Sequence, residues 1–153
     1  MPVYQLHKTQ KLPVSIEEIW EFISSPKNLQ KITPDYMGFK ITTEHGSEKM
    51  FPGMIISYKV SPILNIPMTW VTEITHVKEL EYFVDEQRVG PYQMWHHEHH
   101  LEKTADGVLM TDLITYQPPL GFLGAIANSL VIKKQLADIF DYRKIVLEEK
   151  FGQ

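Results

Sequence analysis

The run His96-His97-Glu98-His99-His100 places four of the chain's seven histidines within five residues. Imidazole is the side chain whose ordinary pKa lies closest to neutrality, so such a run invites metal binding, acid–base chemistry or polar contact with a ligand. The helical H-E-x-x-H arrangement, with histidines four apart on one helix face, is not matched. On a strand, alternation puts Gln93, Trp95, His97, His99 and Leu101 on one face. Tyr92, Met94, His96, Glu98, His100 and Glu102 fall on the other, which carries two glutamates and only one aliphatic residue, so it is assigned to solvent. His97 and His99 then point inward. Two histidines per face fall short of the three or four ligands of a zinc site. His97, His99 and Asp112 would make three, but the expectation is no metal and no cofactor.

The residues that follow suggest a partner for the imidazoles. Asp106-Gly107 is a strong hairpin signal. A tight turn centred on Ala105-Asp106 sets His99 opposite Asp112, His97 opposite Ile114 and Trp95 opposite Tyr116; a slip of one residue would reverse every assignment. An inward carboxylate beside an inward imidazole fixes its tautomer and favours its charged form. The segment 81–89 offers a second polar group. Phe83, Asp85 and Gln87 share one face, and the aromatic residue favours that face as the inward one. Trp70 and Glu73 differ in parity, so without a bulge only one of them faces in. Trp70 is the expected one, with Glu73 ranked below it.

Positioning these residues takes a sheet. Residues 3–12 read as a first strand, ended by Pro13. Ser15 and Glu18 form a capping-box pattern ahead of Ile16, Ile19, Trp20 and Ile23 at helical spacing. A second short helix fits 26–32, between Pro26 and Pro34. From residue 38 the period changes to two. Strands are expected at 38–44, 54–61, 67–77, 81–89, 92–103 and 108–116, punctuated by Gly46, Pro52-Gly53, Pro62, Lys78-Glu79, Gly90-Pro91 and Ala105-Asp106-Gly107. The strand at 92–103 spans about 40 Å at ~3.3 Å per residue and must twist. Pro118-Pro119 ends the strands. The segment 122–149 then predicts one long helix with Ile132, Leu136, Ile139, Phe140, Arg143, Val146 and Leu147 along one stripe. A long helix can cover the apolar face of an antiparallel sheet, and a curved sheet around a straight helix leaves a gap.

Composition narrows the functional classes. The 153 residues point to one domain, 1–153, with 43% apolar and 22% charged residues, typical of globular proteins. Fifteen basic against 19 acidic residues give a net charge of −4, which lacks the basic excess that nucleic-acid binding needs. No apolar stretch is long enough for a membrane span. The segment MPVYQLHKTQKLP shows no apolar core of a signal peptide. Cysteine is absent, so disulfides, thiolate metal sites and cysteine nucleophiles are excluded. The expected location is cytoplasmic, and the oligomeric state is left open.

This order of elements resembles the helix-grip fold of the START/SRPBCC superfamily, which includes START lipid-transfer domains, pollen-allergen-type plant proteins and polyketide aromatase/cyclase-like proteins. Several motifs resemble a bacterial subgroup sometimes labelled "cell division inhibitor". They are Ile32-Thr33-Pro34, Met50-x-x-Gly53, Trp70-x-x-Glu73-Ile74, Phe83-Val84-Asp85-Glu86-Gln87 with Gly90-Pro91-Tyr92, Trp95-x-His97-x-His99, Met110-x-Asp112, Tyr116-x-x-Pro119-x-Gly121-x-x-Gly124 and Tyr142-Arg143. The resemblance implies an α+β fold in which a curved antiparallel sheet of about seven strands wraps a long C-terminal helix, with two short helices after the first strand. It also implies a cavity for a small hydrophobic or amphipathic ligand, of lipid, polyketide or aromatic type.

The expected ligand-contacting residues are Trp70, Phe83, Asp85, Gln87, Trp95, His97, His99, Asp112, Tyr116 and Arg143. Each has a plainer reading. The histidines and aspartates can be a satisfied structural network, the aromatics can be core, and Arg143 can snorkel at the edge of its stripe. The alternative function is a cyclase or dehydratase in which His97 or His99, paired with Asp112, moves a proton beside a carbonyl. That requires an imidazole nitrogen open to the cavity. A third reading, a partner-binding module, requires a large exposed apolar patch.

Overall fold

The computed structural model describes residues 2–43, 49–62 and 65–152. The chain runs β1 (Tyr4–Leu12), α1 (Ile16–Ile23), three short 3-10 turns, β2 (Lys40–Ile41), β3 (Met54–Val60), β4 (Met68–Lys78), β5 (Tyr82–Val89), β6 (Met94–Thr104), β7 (Gly107–Gln117), α2 (Gly121–Ala127), one wide π turn (Asn128–Ile132) and α3 (Lys133–Phe151). The seven strands form one curved antiparallel sheet in the order β1-β7-β6-β5-β4-β3-β2. The long helix packs against it: Leu136 and Phe140 of α3 join Trp95 and Ile114 of the sheet, and Leu147 joins Val108 and Met110. This is the helix-grip arrangement expected above.

Local chemistry explains most boundaries. Ser15 Oγ accepts the Glu18 backbone N–H at 3.2 Å, and Glu18 accepts the Ser15 N–H in return, so the capping box forms. The helix behind it buries Ile16, Ile19, Trp20, Phe22 and Ile23. The second helix expected at 26–32 is two 3-10 turns instead, Pro26–Asn28 and Gln30–Ile32. Asn28 donates its side-chain N–H back to Phe22 O at 2.8 Å, and Thr33, ahead of Pro34, takes the extended backbone that a following proline imposes. The strand expected at 38–44 shrinks to Lys40–Ile41; Glu44 and the turn at Gly46 lie outside the described residues.

The β6–β7 hairpin has the register read from the sequence: Trp95 opposite Tyr116, His97 opposite Ile114, His99 opposite Asp112. Burial alternates along β7 and along β6 up to Leu101, and turns His97, His99, Asp112 and Tyr116 inward. Gly107 closes the turn at φ +151°, where a Cβ would sit 2.0 Å from the Leu12 carbonyl oxygen, so only glycine fits beside β1. Strand β4 carries a register shift between Ile74 and His76, leaving Thr75 as the extra residue.

The long terminal helix is interrupted where the sequence predicts continuity. Asn128, at the start of the π turn, is buried and accepts the Tyr116 Oη–H at 2.7 Å. Ahead of it α2 is apolar on both sides. Leu120, Leu123, Ile126, Leu130 and Val131 are all more than half exposed, and no charged residue stands between Asp112 and Lys133.

Candidate functional site

Strand alternation brings Tyr58 and Val60 of β3, Trp70, Thr72 and Ile74 of β4, and Phe83 and Asp85 of β5 to the concave face of the sheet. Ile132, Leu136, Phe140 and Arg143 face them from the helical side. Between the two lies a cavity of about 190 Å³. An apolar void of ~150 Å³ already suffices to take up benzene, so this one has room for a small ring system or a short chain. Its walls combine aliphatic residues with a cluster of aromatic rings. Trp70 stacks on Tyr58 (5.9 Å, 13°) and meets Trp95 (5.3 Å) and Tyr92 (5.7 Å) edge-on. Large rigid rings pack by offset and edge contacts and cannot collapse into a gap as flexible aliphatic chains do.

One wall is charged. The His97 and His99 rings stack at 3.6 Å, Phe83 stacks on His99 at 4.0 Å, and Phe140 meets His97 edge-on. The two imidazoles are clamped between two carboxylates. Asp112 Oδ1 lies 2.8 Å from His97 Nε2 and 3.3 Å from His99 Nδ1. Asp85 Oδ2 lies 2.6 Å from His99 Nε2 and 3.5 Å from His97 Nδ1. Arg143 Nη1 reaches Asp112 Oδ1 at 3.4 Å, with its guanidinium over the Phe140 ring.

Burial sets the protonation pattern. It raises both carboxyls, but the hydrogen bonds from His97 and His99, with the Arg143 charge, bring Asp112 well below the usual carboxylate range. Asp85, likewise raised by burial, is brought below that range by the charges of His97, His99 and Arg143 and the hydrogen bond from His99. Burial and the neighbouring His99 push His97 down to about 4, against the pull of Asp112 and Asp85. For His99 burial is outweighed by its two carboxylate neighbours, so its pKa is raised. Near pH 7 the group holds two carboxylates, one guanidinium and a neutral ring at His97, while the two carboxylates shift His99 toward its protonated form. Each carboxylate faces an imidazole and Asp112 also faces a guanidinium, which is how ionised groups are tolerated at this depth. The shorter of the two His97 contacts is Nε2 to Asp112, at hydrogen-bond distance.

Of the residues singled out in the sequence, Trp70, Phe83, Asp85, Trp95, His97, His99 and Arg143 line the cavity. Three do not. Gln87 turns its amide to the backbone of Tyr92, donating to Tyr92 O at 2.7 Å and accepting from Tyr92 N at 3.1 Å, so it braces the β5–β6 turn. Tyr116 is engaged by Asn128. Asp112 lies behind the histidines and borders a second cleft of about 90 Å³, with Lys8 and Gln10 of β1 and Asp141 and Lys144 of α3. Glu73 faces outward and pairs with Arg88 at 3.3 Å. Tyr92, assigned to solvent by alternation, instead lines the cavity. Strand β6 begins only at Met94, so strand parity does not govern Tyr92. Tyr58 was also missed, although it shares the inward parity of Met54, Ile56 and Val60. Phe39 carried no periodic signal.

Asp85, His97 and His99 each offer one metal-ligating atom, all within 4.8 Å of one another. In the structure those atoms are engaged with each other, the shortest contact being Asp85 to His99. No helix among the described residues is long and apolar enough to cross a membrane.

No protein-family model matches the chain, and no curated protein matches it. Solved structures do. A START superfamily protein from Mycobacterium smegmatis superposes with a TM-score of 0.71 at 14% identity, covering 97% of both chains. A protein from Thermus thermophilus gives 0.70 at 13% identity, covering 97% of this chain and 95% of that one. Ginseng major latex-like protein 151 from Panax ginseng gives 0.67 at 14% identity over 97% of both. The chain therefore has the START-like helix-grip fold.

Proposed function

We propose that this protein binds a small hydrophobic or amphipathic ligand, of lipid, polyketide or aromatic type, between the sheet and α3. The observation that carries the reading is the apolar cavity with one polar wall of paired carboxylates and imidazoles. Trp70, Phe83, Trp95 and Phe140 would supply apolar contact at roughly 25 cal/mol per Å² buried. His97, His99, Asp85 and Arg143 would orient the ligand's polar end. Native mass spectrometry of the purified protein, followed by thermal shift against fatty acids, aromatic polyketides and simple ring compounds, tests it. A binder at 100 times its Kd should stabilise the fold by about 2.7 kcal/mol. If no compound shifts the transition and no small molecule co-purifies, the reading falls.

The geometry weighs against the cyclase or dehydratase alternative. Every nitrogen of His97 and His99 has a carboxylate oxygen within 3.5 Å. A His97 ring with a pKa near 4 is also a weak base at neutral pH. One observation favours the partner-binding reading, the exposed apolar face of α2. Sedimentation of the wild type against Leu123→Ser and Leu130→Ser variants checks it. A change in association state with substitution supports that reading, and unchanged monomers oppose it.

A further inference from the structure

The two carboxylates around the His97–His99 pair stand in different surroundings. Asp112 faces His97 Nε2 and His99 Nδ1, lies behind the cavity wall and is joined by Arg143. Asp85 faces His97 Nδ1 and His99 Nε2 and lines the cavity together with both rings. Among the described residues no lysine or arginine forms an ion pair with Asp85; its partners are the two imidazoles.

This asymmetry is that of a metal site with its supporting carboxylate. A histidine that holds a metal through one ring nitrogen gives its other N–H to a carboxylate, which fixes the ring and raises its basicity. Asp112 occupies that supporting position for both rings at once. On the other side, one ligand atom from each of Asp85, His97 and His99 lies within 4.8 Å of the other two. First-row ions hold such atoms at ~2.0–2.2 Å, so the atoms stand roughly 3–4 Å apart around them. The Asp85 contacts of 2.6 and 3.5 Å must therefore open slightly. The strand tolerates this, because the ring centroids lie 3.6 Å apart on residues that a strand spaces by ~6.6 Å. The sequence suggests Asp112 as the third ligand; the structure sets it behind the rings and brings Asp85 to the front.

We infer that Asp85, His97 Nδ1 and His99 Nε2 bind a divalent first-row transition ion, with Asp112 positioning both rings from behind. Two imidazoles and one carboxylate leave part of the ion's shell open. The open positions face the cavity, where an oxygen of the bound molecule would complete the shell. The ion site stands on side-chain geometry; only the use of its open positions rests on the cavity-binding reading above.

Co²⁺, whose visible bands report its coordination, is titrated into EDTA-treated wild-type protein with no organic compound present. One equivalent should bind, and Zn²⁺ should displace it. His97→Gln and Asp85→Asn should each weaken Co²⁺ by more than about 100-fold. Asp112→Asn keeps the three ligands and should weaken it by roughly 10- to 100-fold. His96 and His100, which face outward beside Glu86 and Glu98, supply the control. The double variant His96→Gln with His100→Gln should bind as the wild type does. Proton spectra of the wild type decide the matter should an inward variant fail to fold. The largest Co²⁺-induced shifts should fall on the rings of Phe83 and Phe140, which touch His99 and His97, and smaller ones on Tyr82, which touches His100. Absence of binding to the wild type, binding that survives His97→Gln, loss in the outward double variant, or largest shifts at Tyr82 overturns the inference and leaves the cavity reading intact. Co²⁺ binding as described, with no compound shifting the melt of the metal-free or the loaded protein, upholds the ion site while the cavity reading falls.

Discussion

The two ends of the sheet–helix interface are built from different materials. At the α1 end Leu12, Ile16, Ile19, Val108 and Leu147 interlock, and most of them are almost wholly buried. Branched aliphatic chains of this kind pack to crystal-like density and stabilise by about 1.5–3 kcal/mol each when fully buried. At the other end Trp70, Trp95, Tyr116, Tyr58, Tyr92 and Phe140 meet as rings and leave a hollow. Phe83 and the His97–His99 stack sit at the boundary, with Asp85 and Asp112 on either side. The contrast separates two tasks. The aliphatic end holds the fold together, and the aromatic end accepts a void because the rest of the structure can carry its cost.

The largest way to break this division is at the boundary. Asp112→Asn leaves Arg143, His97 and His99 without the anion they share, and it should cost about 3–5 kcal/mol in urea unfolding at pH 7. A loss under 1 kcal/mol would mean that the polar group is separable from the fold.

Next in size is the pH dependence. His97 titrates near 4 in the folded chain and near ~6.5 when unfolded. The unfolded state therefore binds the proton first, and stability should fall by roughly 3 kcal/mol as pH drops from 6.5 to 4. His99 has the opposite sign. Its raised pKa gives a contribution present below the unfolded value and lost as pH rises through the folded one. The lowered aspartates hold their contribution above the ordinary carboxylate range and lose it only as pH falls toward their folded values. Urea midpoints from pH 8 to pH 4 should show the acid-side slope in the wild type. The slope should flatten in His97→Gln.

The third prediction applies comparable enlargements at both ends. Ile19→Phe in the packed end should cost about 1–3 kcal/mol by overpacking. Leu136→Phe enters the hollow and should change stability by less than about 1 kcal/mol while abolishing ring-compound binding. Thermal melts with and without a simple ring compound that binds the wild type read both effects. Similar destabilisation at the two positions would erase the contrast.

Much of the site's frame was legible in the chain. The Asp-Gly turn set the β6–β7 register, and alternation then placed Trp95, His97, His99 and Asp112 on the inner face without any tertiary information. The capping box at Ser15 and Glu18 was equally local. The failures have physical causes. Gln87 has the parity of a cavity residue, yet the irregular turn after β5 offers two backbone partners that satisfy its amide. Tyr92 belongs to no regular period. Asn128, where the π turn starts, is hydrogen-bonded to Tyr116, twelve residues away.

By itself the sequence determined the order of strands and helices, the hairpin register and which side chains turn away from water. Those properties follow from periodicity and turn chemistry, which act between near neighbours. Only the tertiary structure decided that Asp85 meets His99 while Asp112 backs His97, that Arg143 reaches Asp112, and that a hollow remains between the sheet and α3. Such facts depend on registers summed across several strands, including the shift at Thr75, and on the small difference between the volume the sheet and helix enclose and the volume their side chains fill.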